Sequence, residues 1–332
     1  FCITRIKRSL LSRLLILVVS LFSATALCIP SISTAEKENW MEYEEHGDQA
    51  KAAGEWSKAE EAYRKALGVV DITHRMDNRV AELSTKLGEI CIEKKDLKSA
   101  EGAFRRALSI YQWNLGPDDL KVADTLDRVA ISLQNQEDGF ALTGPLYFRS
   151  LAIREKALGS DHPDVADSLH RVGLALYFEN GRLPAAIPLL ERALNIRERT
   201  SGHEHLSVAT ILSSLAFIYD LHSARDRAIP LYEEALRIRE KILGPNAPEV
   251  LQSLSNLGDA YELEHAYEKA GGILEQRLRA VEARFGPDDP EVIAVLEHYG
   301  FVLAQAGKQE EAKALNDRVQ QIRARADGQT RQ

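Results

Sequence analysis

The chain has 332 residues, 45% hydrophobic and 28% charged, which is ample for a large folded body and too balanced for wholesale disorder. A formal net charge of -8 without a basic block in the body argues against nucleic-acid binding, which needs clustered Lys and Arg on the phosphates. Three cysteines, two of them (Cys2 and Cys28) close to the N-terminus, exclude a disulfide framework and leave Cys91 alone in the body.

Residues 1–13 carry Arg5, Lys7, Arg8 and Arg13 and no acid. An apolar run from Leu14 to Phe22 follows, then small residues, with small-x-small sites at Ala24-Thr25-Ala26 and Ser33-Thr34-Ala35. This pattern predicts a secretory signal peptide within residues 1–35, a mature start at Leu27 or Glu36, and export to a periplasm or the medium. The alternative is an N-terminal membrane anchor. Against it, the stretch from Leu14 to Ile29 is broken by Ser and Thr and falls short of the roughly 20 residues that a span needs.

Residues 36–326 repeat themselves. A small residue early in the second helix of each unit recurs as Ala59, Ala100, Thr143, Ala186, Ala228, Ala270 and Ala312, at intervals of 41 to 43 residues. A larger residue follows four positions on, as in Tyr63, Phe104, Tyr147 and Tyr232, and another small one usually stands seven positions on. The first helix of each unit carries a matching small residue: Gly47, Gly88, Ala130, Gly173, Ala216, Gly258 and Gly300. Glycine inside a helix costs about 1 kcal/mol against alanine. Its recurrence therefore marks close crossings between the two helices of a unit.

The joints share one logic, seen in Leu115-Gly116-Pro117-Asp118-Asp119, Leu158-Gly159-Ser160-Asp161-His162-Pro163 and Phe285-Gly286-Pro287-Asp288-Asp289-Pro290. Glycine ends one helix, an Asp, Asn or Ser oxygen caps the next, and proline opens it. Pro145, Pro188 and Pro230, each two residues after a small anchor, are expected in a first turn or at a slight bend. Arg277, Asn316 and Val319 interrupt the small-residue pattern in the last two units. The last helix is expected to be a cap with a polar outer face, and residues 327–332 a disordered tail.

These residues resemble the tetratricopeptide repeat, with its Gly/Ala in the first helix and two alanines seven apart in the second. The 42-residue period and the Leu-Gly-x-Asp-His-Pro-Asp-Val-Ala joint look like the longer variant of kinesin light chains. The resemblance implies an all-α solenoid, a right-handed superhelix of about seven helix-turn-helix units. It also implies a non-catalytic scaffold that holds a partner peptide or protein on its concave side, along the first helices. In kinesin light chains an asparagine-rich segment supplies some of those contacts. The corresponding segments here keep an asparagine only at Asn256, which argues against kinesin-type cargo.

Helical geometry yields candidates for the groove. Positions three before, one after and four after the small first-helix residue share a face. They include Asp127, Ile131, His170, Leu174, Ser213, Phe217, Asp220, Ser255, Asp259, Glu262, Glu297 and Phe301. Apolar residues alternate with acids, which implies a partner with basic and apolar side chains. No catalytic or phosphate-binding motif occurs, and neither a cofactor nor a metal is expected. His203-Glu204-His205 occupies a joint and lacks a third ligand. Two other functional readings are a regulatory or targeting arm of a larger envelope assembly and an enzyme with an unrecognised site.

Overall fold

The computed structural model describes residues 34–73, 76–134, 136, 140–180 and 183–329. The predicted leader lies outside these residues up to position 33. Among the described residues there are fourteen α-helices and no strand. They form seven antiparallel pairs: α1 (Thr34–Ala52) with α2 (Trp56–Thr73), α3 (Asn78–Glu93) with α4 (Leu97–Asn114), and α5 (Leu120–Gln134) with α6 (Phe140–Leu158). Next come α7 (Pro163–Asn180) with α8 (Leu183–Ser201), and α9 (Leu206–Leu221) with α10 (Arg225–Leu243). The last pairs are α11 (Pro248–Leu263) with α12 (Tyr267–Phe285), and α13 (Pro290–Gln305) with α14 (Gln309–Gln329). The architecture is the all-α solenoid expected from the repeat. No helix among the described residues is long and apolar enough to cross a membrane.

The chain divides into two compact units, residues 1–117 and 118–332. In the first, the small residues do what their recurrence implies. A Cβ on Gly47 would sit 2.5 Å from the Tyr63 ring, and one on Gly88 would sit 2.5 Å from the Phe104 ring. The two repeats are also tied by charge. Lys86 bonds to Glu44 and Asp48 at 2.7 Å, and Tyr63 donates to Asp48 at 2.6 Å. Cys91 is buried, and burial raises its thiol pKa, so it is a packing residue and not an activated thiol.

In the second unit Thr143, Ala186, Ala228 and Ala270 are fully buried at the helix crossings. Gly173 closes against Leu190, whose Cγ would lie 2.9 Å from an added Cβ. At the joints Gly159, Gly202, Gly244 and Gly286 adopt φ between 82° and 95°, the left-handed conformation that glycine accepts at a helix C-terminus. Asp119 and Asp289 cap the next helix through carboxylate oxygens, as the joint sequence suggests. At two joints a ring nitrogen does this instead: Nδ1 of His162 accepts from the Asp164 amide, and Nδ1 of His205 from the Ser207 amide. The His203-Glu204-His205 group is thereby absorbed by structure, because Glu204 also pairs with Arg237 and Lys241.

Three details depart from the sequence reading. Pro145, Pro188 and Pro230 are each the sixth residue of their helix, past the first turn that was one of the two expected places. All three are exposed. The final helix continues to Gln329, into the predicted tail, while burying Ala312, Val319 and Ile322 and exposing Lys313, Asn316, Asp317 and Gln320. The turns inside the units place Lys95, Ser223 and His265 at φ near 60°, where Gly54 and Gly307 stand in other repeats. Sequence pattern alone did not reveal that strained position.

Candidate partner-binding face

The first helices α5, α7, α9, α11 and α13 of the second unit carry the residues singled out by spacing. Neighbouring first helices touch, and α9 meets both α7 and α11. Polar bridges join three of the four neighbouring pairs. Arg171 on α7 reaches Asp127 on α5 at 3.1 Å, His170 on α7 bonds to Ser214 on α9 at 2.8 Å, and His298 on α13 bonds to Glu262 on α11 at 2.6 Å.

The residue one place after the small first-helix position faces outward in four of these five helices. Ile131, Phe217, Asp259 and Phe301 are exposed, while Leu174 is half-buried against the core. Four places after it, Asp220 and Glu262 are half-buried and paired, Asp220 with Arg225 at 2.9 Å. Ser213 and Ser255 are half-buried, and Glu297 is exposed and bonded to Arg323 at 2.6 Å.

Asp127 departs from the expected pattern. It is 5% exposed, and its Oδ2 accepts from Arg154 at 2.8 Å and from Arg171 at 3.1 Å. It is an internal counter-ion and not a solvent-facing groove acid, because an arginine from the second helix reaches under it. Arg154 also bonds to Asp124, Ser150 and Ser168. Burial alone would lower the guanidinium pKa. The field of Asp127 and the hydrogen bonds to Asp124 and Asp127 outweigh it and hold the pKa above its ordinary value.

Spacing missed a second apolar row, five places after the small residue: Phe178 (43% exposed), Leu221 (52%) and Leu263 (52%). The signal was present as an apolar residue at that position in three successive units. Phe178 and Phe217 approach at 6.3 Å between ring centroids, and Tyr177 lies edge-on to Phe178 at 5.4 Å. These contacts join Phe178 and Phe217, on successive first helices, into one apolar patch.

One set among the described residues has metal-ligand geometry: Asp259, Glu262 and His298 offer atoms within 4.8 Å of one another. The short His298–Glu262 bond accounts for it as an inter-repeat tie. Partial burial raises the Asp259 pKa even though about half its side chain is exposed, with the His298 and Arg277 fields opposing the rise.

His170 gives this face a pH dependence. Burial of the ring, aided by the neighbouring Arg171 and opposed by Asp167, pushes its pKa down to about 4 from 6.5. Below pH 6.5 the unfolded chain takes up a proton that the folded chain refuses until pH approaches 4. Stability is full above 6.5 and declines as pH falls toward 4, by about 2 kcal/mol once the ring's partial exposure is allowed for. The stability difference between His170→Asn and wild type should therefore change across this window in urea titrations. Parallel curves would show that the ring titrates normally.

An array of helix pairs with a patterned first-helix face defines an interaction scaffold. The chain belongs to the tetratricopeptide repeat family. Family models described as tetratricopeptide repeat match residues 45–114, 121–198, 175–241 and 225–283. Among solved structures it is similar to BtubC (BKLC) from P. vanneervenii, with 25% identity and a TM-score of 0.58 over 71% of this chain and 92% of that one. It is also similar to a putative kinesin light chain with nearly identical TPR-like repeats from Podosopora anserina, with 26% identity and a TM-score of 0.54 over 63% and 97%. A Rap protein complexed with Competence and Sporulation Factor shares the fold at 17% identity, with a TM-score of 0.51 over 88% and 76%. No curated protein sequence matches the chain. Tetratricopeptide arrays are in general non-catalytic.

Proposed function

We propose that this protein is an exported adaptor that holds a segment of a partner protein along α7, α9, α11 and α13. One observation carries the reading: Phe178, Phe217, Leu221, Leu263 and Phe301 form exposed apolar rows on first helices of consecutive repeats, with Asp259, Glu262 and Glu297 beside them. Apolar side chains of the partner gain affinity from the rows, and basic ones gain orientation and on-rate from the carboxylates. Partner binding by a related fold, as in the Rap complex, supports the mode. The leader composition supports export. N-terminal sequencing of protein from the producing cell tests that part, with Leu27 or Glu36 as the expected start.

The test of the face begins with a pull-down by the purified body from the envelope fraction. The captured partner is then measured by surface plasmon resonance. Phe217→Ala should speed dissociation about fivefold or more, the range of an anchoring aromatic. Asp259→Lys should slow association and flatten its salt dependence. If both variants bind like wild type while Glu234→Lys on α10 does not, the partner uses the second helices and the reading fails.

A further inference from the structure

The second helices of three successive repeats send an arginine toward the first-helix layer, and one of the three has no counter-ion among the described residues. These arginines, eleven places after the small anchors Thr143, Ala186 and Ala228, are Arg154, Arg197 and Arg239. Arg154 meets Asp124 at 2.6 Å and Asp127 at 2.8 Å, and Arg197 meets Asp167 at 2.5 Å. Asp124 and Asp167 stand six places before the small residue of their own first helix; in the next repeat that place is Thr210. The place of Asp127 is taken by Ser213. Arg239 keeps the rest of the geometry. Its Nη1 donates to Ser213 Oγ at 2.9 Å and to Ser253 Oγ at 2.5 Å, as Arg154 donates to Ser168 on the following first helix.

We infer that the Arg239 guanidinium, with the Ser213 hydroxyl beside it, receives an anionic side chain of the partner segment, a carboxylate or a phosphoryl group, while the buried Ser253, whose hydroxyl donates to the Glu249 carbonyl, positions the guanidinium. A half-buried guanidinium bonded only to neutral hydroxyls is an incomplete ion pair, and the repeats before it show the anion that completes it. Burial lowers the Arg239 pKa, and Glu249, which makes no ion pair with it, is the carboxylate whose field opposes this. The site is within reach of the partner. Arg239 and Ser213 are only half-buried, and Ser213 lies one helical turn before Phe217 on α9. In the next repeat Val281 occupies the arginine position and Arg277 projects from one turn earlier, again without an ion pair among the described residues. The inference rests on the reading of this face as a partner groove and adds to it a polar anchor of opposite sign to Asp259 and Glu262.

The test is fluorescence anisotropy with short labelled peptides of Phe and Ala, identical except for one central residue: Asp, phosphoserine or Asn. The Asp and phosphoserine peptides should bind at least about tenfold tighter than the Asn peptide, the preference shrinking with added salt. The stronger of the two identifies the group. Arg239→Gln should reduce both to the Asn level, and Arg239→Lys should retain part of the preference because the charge stays while the planar fork is lost. Glu249→Gln should strengthen anion binding, and Arg237→Gln, on an exposed face of the same helix, should change nothing. Circular dichroism confirms that each variant is folded. Equal binding of all three peptides, binding of none, or a preference that survives Arg239→Gln overturns the site. Equal binding that Phe217→Ala still weakens does so while leaving the groove reading in place.

Discussion

Replacing Arg154 by Gln is expected to destabilise the second compact unit by about 3–5 kcal/mol, the range for breaking a buried ion pair from one side. The side chains of Arg154 and Asp127 are 8% and 7% exposed, so water replaces little of what is lost. The guanidinium also bonds to Asp124, Ser150 and Ser168 and so ties α6 to both α5 and α7. Its removal leaves Asp127 with Arg171 alone, at 3.1 Å and from a half-exposed position. The measurement is the urea midpoint followed by circular dichroism. The double variant Arg154→Met with Asp127→Leu should recover much of the loss, because removing both charges also removes the desolvation penalty. A single variant that melts within about 1 kcal/mol of wild type would show that the pair is solvated like a surface bridge.

Gly88→Ala is expected to cost about 1–3 kcal/mol in the first compact unit, although alanine is the better helix former. The added Cβ would lie 2.5 Å from Cε1 of Phe104 and 2.8 Å from its Cδ1 and Cζ, closer than side chains tolerate. Phe104 is 2% exposed, and its ring has no free space to yield. In a Phe104→Leu background the same substitution should cost much less, and the double-mutant cycle isolates the contact. Because repeats contact only their neighbours, the damage should remain local, which hydrogen exchange resolves by segment. A gain in stability from Gly88→Ala would mean that the helices do not cross as closely as the glycine implies.

The proposed adaptor function depends on a face whose pattern is only partly legible in the sequence. The repeat itself was fully legible. Small residues at a fixed period, glycine at five of the six joints and proline or Asp after most of those glycines are local requirements of close crossing, left-handed backbone and helix capping. Each constrains residue type at its own position. The same logic placed Ile131, Phe217, Asp259 and Phe301 on an outward face, because helical period determines direction.

The fate of the polar residues was decided elsewhere. Asp127 and Ser213 hold the same place in their helices, yet one is a buried counter-ion and the other a partly exposed hydroxyl under Arg239. The difference arises from arginines more than twenty residues away, on helices that meet these residues only after folding. The pairing of Glu262 with His298, 36 residues further on, has the same character. The sequence by itself determined the helices, their period and the direction of each side chain, since these follow from local backbone sterics and helical geometry. Only the tertiary structure decided which charges are paired, which are buried and which remain open to a partner, because those depend on distances across repeats that no single helix contains.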